Sequence, residues 1–181
     1  MISTLKASLV VAALLALPLA QAANMTKWDY SNGKSRIGTD FKANKAACAA
    51  LAGNGKDICV EEAKAKQKVE RAELEYSYSG KSGDQNKVLV AKAESAYAVA
   101  KERCDDKAGN AKDVCVQEAK SAETKALADA KMGKEVGAAR TDAAHEKRDA
   151  DFKVELAKCD ALAGDTKAGC VATAKANFGK T

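Results

Sequence analysis

One pattern occurs three times in this chain and limits what it can fold into. It reads Cys-x3-Ala-Gly-[Asn/Asp]-x-Lys-x2-Cys-Val-x2-Ala-Lys and runs from Cys48 to Lys64, from Cys104 to Lys120 and from Cys159 to Lys175. The first cysteines of the copies are 56 and then 55 residues apart, and the copies align without gaps. Agreement at a nearly fixed period is the signature of a repeated supersecondary unit that buries its apolar face against a neighbour.

The centre of each copy reads as a helix stop followed by a helix start. Gly53, Gly109 and Gly164 stand where a helix takes a left-handed residue just past its end. Asn54, Asn110 and Asp165 follow at once and are good N-caps for a next helix. Asp57 and Asp113 come three residues later, suited to a positive helix N-terminus; the third copy has Ala168 there and should start its helix less firmly. Each copy is therefore expected to be a tight helical hairpin.

The cysteines lie symmetrically about that turn, five residues before each glycine and five after each Asn or Asp. Residues equidistant from the turn of an antiparallel hairpin face one another, and a disulfide requires their Cα atoms within roughly 4.4–6.8 Å. Six cysteines allow 15 connectivities. The repeat symmetry selects Cys48–Cys59, Cys104–Cys115 and Cys159–Cys170. The C-x10-C spacing lacks the short C-x2-C pairs of zinc and thioredoxin-like sites, so the cysteines read as structural and no metal site is expected.

The segments between copies have helical character. Leu89, Ala93, Ala96, Ala100 and Cys104 recur at spacings of three or four, as do Cys115, Ala119, Ala122, Ala126 and Ala130. Ala fills most of these seam positions, which predicts coiled-coil-like packing with a thin core. Proline occurs once, at Pro18, so nothing of that kind interrupts later helices. Ser79 to Asp84 reads as a loop, and Met132 to Gly137 as a turn or a kinked helix. With both as turns the chain is all-α with about six helices, near 40–52, 56–78, 85–108, 111–132, 138–163 and 166–177. The hairpin units then cover 40–78, 85–132 and 138–178 of a repeat region spanning 39–181. Residues 23–38, with Trp28, Tyr30 and the Asn32-Gly33 turn signal, are expected to form a flexible N-terminal arm with its aromatics tucked on the array.

The first 22 residues point to a compartment. Lys6 precedes an apolar run from Leu9 to Leu19, and Ala20-Gln21-Ala22 fits a small-x-small cleavage site. The run is shorter than the roughly 20 apolar residues of a membrane span. A cleaved secretory signal is expected, with no stable membrane insertion once processed. Secretion into an oxidising periplasm would preserve the disulfides.

The chemistry visible in the rest is sparse. The 30 basic residues are interleaved with 25 acidic ones, and aromatics are 4% of the chain. A clustered basic patch with stacking aromatics would mark a nucleic-acid binder, so no nucleic-acid partner is expected. His145 is the only histidine, and its neighbour Glu146 has no second His to make an H-E-x-x-H site. No phosphate loop, nucleophile elbow or catalytic triad stands out, so neither an enzyme nor a cofactor is expected.

The repeat, carried by Ala108-Gly-Asn-Ala-Lys-Asp-Val-Cys-Val116 with Glu118-Ala-Lys120 and their copies, resembles small secreted proteobacterial proteins often labelled "cell envelope biogenesis protein TolA". The resemblance covers about residues 45 to 175 and assigns no activity to any residue. It is similar to TolA in the Ala/Lys/Glu/Asp-rich helical middle, without that protein's C-terminal mixed domain. The resemblance implies a periplasmic structural or interaction protein of a Gram-negative envelope, with envelope proteins or an anionic envelope surface as partners. Two other readings stand beside it: a soluble periplasmic module binding a metal ion or an anionic envelope ligand under stress, and a membrane-tethered spacer.

Overall fold

The computed structural model describes residues 25–180. The expected signal at 1–22 lies outside the described residues. Five α-helices account for nearly all of the rest: α1 (Lys27–Ala47), α2 (Gly53–Ser79), α3 (Ser82–Cys104), α4 (Gly109–Cys159) and α5 (Gly164–Phe178). No strand occurs among the described residues. The cause is local: Ala, Lys, Glu and Gln are strong helix formers, and no proline falls in this region.

Consecutive helices pack on one another. α1 lies on α2, α2 on α3, α3 on α4, and α4 on α5. The contacts that define each seam are small or polar. Gly33 of α1 lets the two backbones approach, since a Cβ there would sit 2.7 Å from Cδ1 of Leu74. Ile37 is buried in the same seam. Between α2 and α3, the Ser95 hydroxyl donates to the Ala65 carbonyl at 3.4 Å. Three ion pairs flank it: Lys68–Glu94, Lys92–Glu73 and Arg103–Glu62. The last part of α4 meets α5 through Phe152 and Phe178, whose ring centroids are 5.6 Å apart, and through Lys180–Asp149 at 2.7 Å.

Three sequence expectations are corrected. From Lys27 onward the arm expected over 23–38 is not loose, because α1 begins there. Thr26 and Asp29 form a reciprocal capping box at its start, which satisfies two of the orphan N–H groups of a new helix. The Tyr30 ring then stacks on Tyr78 at 4.5 Å, and its hydroxyl donates to Glu75. Trp28, by contrast, stays 72% exposed. The Asn32-Gly33 turn signal is overridden because Gly33 serves a close helix contact.

The count is five helices rather than six, since α4 continues through 132–137 for 51 residues. Gly133 and Gly137 each weaken a helix by up to about 1 kcal/mol relative to Ala. That cost is spread among good helix formers, and Lys131 and Glu135 form an i,i+4 pair across the stretch. The second and third units therefore share one helix.

The third correction concerns the turns. Each glycine does have positive φ, +55° at Gly53, +54° at Gly109 and +57° at Gly164. Yet it opens the following helix and does not close the preceding one. The preceding helices end at or just before the first cysteine, and a tight turn follows in which the N–H of Leu51, Lys107 or Leu162 donates to that cysteine's carbonyl at 3.0–3.1 Å. Ala52, Ala108 and Ala163 are extended, with φ near −130°, and stand at the N-cap positions with no side-chain cap. Asn54, Asn110 and Asp165 lie inside the next helix and do not cap it, and Asp57 and Asp113 complete no capping box.

Candidate interaction surface

The reactive residue types are locked in the scaffold. Disulfides join Cys48 to Cys59, Cys104 to Cys115 and Cys159 to Cys170, with Cα separations of 5.6, 5.7 and 5.7 Å, and no cysteine is free. Cys48, Cys104 and Cys159 are the largest fully buried side chains among the described residues. Disulfides of this kind persist in oxidising, extracytoplasmic compartments. No helix of the described residues is long and apolar enough to cross a membrane.

The repeat residues have roles that their spacing alone does not disclose. The Asn54 amide donates to the Glu102 carbonyl at 3.0 Å, tying the first stapled turn to the last turn of α3. The first two stapled turns thus lie at the same end of the molecule. The repeated lysine also has a partner in two copies. Lys112 pairs with Asp105 at 2.8 Å and Lys167 with Asp160 at 3.0 Å, each across a stapled turn. The hydrogen bond and charge of Asp105 raise the Lys112 pKa. In the first copy the acid's place is taken by Ala49, so Lys56 lacks that partner. The Cys-Asp step in copies two and three was the sequence signal for this pair.

At the opposite end of α2 and α3 lies a polar cluster that sequence reading did not single out. The Asp84 carboxylate accepts from the Ser79 hydroxyl at 2.6 Å and from Lys87 at 2.8 Å. Those two hydrogen bonds, Lys87 first, hold its pKa below the ordinary carboxylate value. Nearby, the hydrogen bond to Glu75 pushes the Tyr30 hydroxyl pKa up. This cluster closes the α2–α3 turn, where Gly80 has φ +64°. It joins a helix-to-helix corner and holds no group of three or more metal-ligating side chains, nor does any other part of the described residues.

The largest accessible feature is α4 itself. Residues 131–151 are exposed in an unbroken run, and His145 lies within it, away from any seam. At 1.5 Å per residue, a 51-residue helix is about 75 Å long. The middle of α4 thus stands free between α3 at one end and α5 at the other. No family model, curated protein or solved structure matches this chain.

Proposed function

We propose that this protein is a non-enzymatic structural or interaction protein of the Gram-negative periplasm. It acts as a rigid helical spacer that presents stapled helical bodies at its two ends. The observation that carries this reading is the exposed run of α4 from 131 to 151. Apart from Met132 and Val136 the run is charged, polar or small, and a helix of that character bridges bodies through solvent. The disulfides keep the ends of the spacer from fraying, and the leader-like segment before Ala23 supplies the route to an oxidising compartment.

Mass measurement of the protein from the periplasmic fraction, combined with crosslinking in intact cells from positions on α4, tests this. The expected result is a mature mass beginning at Ala23, reduced by the six hydrogens lost in forming three disulfides, and crosslinks to envelope components. A retained leader with inner-membrane fractionation would replace the soluble spacer by a tethered one. Cytoplasmic location with reduced cysteines would overturn the proposal.

A further inference from the structure

The exposed large apolar side chains are not scattered. Beyond residue 104 they are Val114, Met132, Val136, Val154 and Leu162, each 39–59% exposed. The four on α4, Val114, Met132, Val136 and Val154, lie within about 40° of one another around the helix, and Leu162 follows in the turn just past its end. The positions that join them at steps of three or four are all exposed and alternate apolar residues with charged ones, among them Glu118, Lys125, Asp129, Lys147, Asp151 and Lys158. Apolar residues at that spacing form a stripe that ordinarily faces another helix.

The repeat shows which helix. Where α2 meets α3, Glu62 pairs with Arg103 and Glu73 with Lys92. Moving α2 by 56 residues and α3 by 55, the spacings that superpose the cysteines, converts these into Glu118 with Lys158 and Asp129 with Lys147. Charge signs are kept in both. Each new pair is equidistant from residue 138, so both specify the same antiparallel register. The third tie, Lys68–Glu94, becomes Thr124 and Asp149 and has no charged counterpart.

The stripe obeys the same register on its own. Read antiparallel about residue 138, Val114 meets Leu162, Ala122 meets Val154, and Lys125 meets Asp151. Apolar residues meet apolar ones and opposite charges meet in these pairs, and only next to the crossing point does a stripe residue, Val136, face a charge, Arg140. Within one chain this cannot happen along a continuous helix, where Glu118 and Lys158 are about 60 Å apart.

We infer that α4 is the interface of a two-fold symmetric homodimer, in which the α4 helices of two copies pack antiparallel and cross at residue 138. The same patch serves both copies, as two-fold symmetry requires. The contact repeats that of α2 on α3, so the layer runs on from α3 through α4 to α4 and α5 of the second copy. The inference rests on the α4 stripe; the dimer covers one face of the 131–151 run and makes the spacer two helices thick.

Light scattering on the purified, oxidised protein at micromolar concentration should give the dimer mass. Two variants fix the register. In Ala122→Cys with Val154→Cys, the added thiols lie about 48 Å apart on one helix but adjoin those of a second copy. Oxidation should yield a covalent dimer on a non-reducing gel. A monomer mass at all concentrations, or a link formed within one chain because the helix folds back at 133–137, would overturn the inference. Asp129→Lys or Lys147→Asp alone reverses two symmetry-related pairs and should weaken dimerisation about tenfold or more, with the combined reversal restoring it. Both residues are exposed, so the melting temperature of the diluted protein serves as the folding control. If the single reversals leave the mass distribution unchanged, the register is wrong.

Discussion

Replacing Cys159 and Cys170 together by alanine should release α5 while leaving the rest of the molecule folded. The disulfide joins residues 11 apart in sequence, and closing a loop of that size is worth about 3 kcal/mol on the chain-entropy account. What else holds α5 is small. The helix has 15 residues, close to the length at which isolated helices are marginal in water. The Phe152–Phe178 contact supplies about 0.5–1.5 kcal/mol beyond its burial. The Lys180–Asp149 pair is exposed on both sides and contributes at most about 1 kcal/mol. Only Ala174 of α5 is buried. Removing 3 kcal/mol from so thin an attachment raises the local opening constant by roughly two orders of magnitude. Hydrogen exchange read by mass spectrometry on peptides covering 164–178 should lose protection by that factor, while peptides of α2 and α3 stay unchanged. Cys48→Ala with Cys59→Ala is the informative contrast. The loop is the same size, but α2 is also held by Arg103–Glu62, Lys92–Glu73 and the Ser95 hydrogen bond. That variant should lower the global unfolding free energy and keep α2 helical. Retention of α5 protection to within a few-fold in the first variant would show that the alanine and aromatic contacts, and not the disulfide, hold α5 in place.

Three other outcomes follow from the seams and turns. Asn54→Ala removes the amide donor to the Glu102 carbonyl and should cost about 1 kcal/mol in urea unfolding, whereas Asn110→Ala in the dilute monomer should change little because that side chain is exposed. Gly33→Ala should be about 1–3 kcal/mol less stable than Gly38→Ala, because a Cβ at 33 meets Leu74 at 2.7 Å and one at 38 meets open space; the gap should narrow in a Leu74→Ala background. The lowered pKa of Asp84 means that its carboxylate stabilises the fold fully above the ordinary carboxylate range, and that this contribution is lost as pH falls through the depressed folded value. Urea midpoints measured from neutral pH down to strongly acidic pH should fall less steeply for Asp84→Asn than for the parent, and equal slopes would show that another carboxylate governs the acid limb.

The place of the stapled turns and the pairing of their cysteines were legible because the determinants are local and repeated, although the caps are not the ones expected. A glycine with positive φ and two cysteines at fixed distances leave few alternatives, and the repeat multiplies the signal. What escaped was tertiary. Asn54 sits where a cap residue would stand, but its amide serves α3, 48 residues away in sequence. Asn32-Gly33 has the composition of a turn, yet Leu74 and Tyr78 hold that stretch helical. The start of α1 was within reach, since Thr26-x-x-Asp29 is a capping box visible in the sequence. Met132–Gly137 carried contradictory local signals, two glycines against Lys131 and Glu135, and the ion pair across one turn belongs to the helix. The α4 stripe could be read from spacing alone, but only structure separates it from the adjoining faces that meet α3 and α5.

The disposition of bulk in this molecule is the reverse of an ordinary domain. Of the ten buried apolar residues among those described, five are alanine and three are half-cystines, leaving Ile37 and Val88 as the only larger aliphatic ones. Cα atoms 5.6 Å apart across a helix pair admit no large side chain between them, so close approach and a bulky core exclude each other here. Burial of alanine yields little, at about 0.8 kcal/mol per CH2, and the cystines take over both the filling and the holding of the three seams they cross, α1–α2, α3–α4 and α4–α5. Trp28, Leu51, Leu89, Val114, Met132, Val136, Val154 and Leu162 are thereby left outside. On a helix already secured by covalent links, outward apolar residues do not serve the monomer's stability. The alignment of Val114, Met132, Val136 and Val154 along α4, in a register that also matches opposite charges, directs them at a second copy of the same surface.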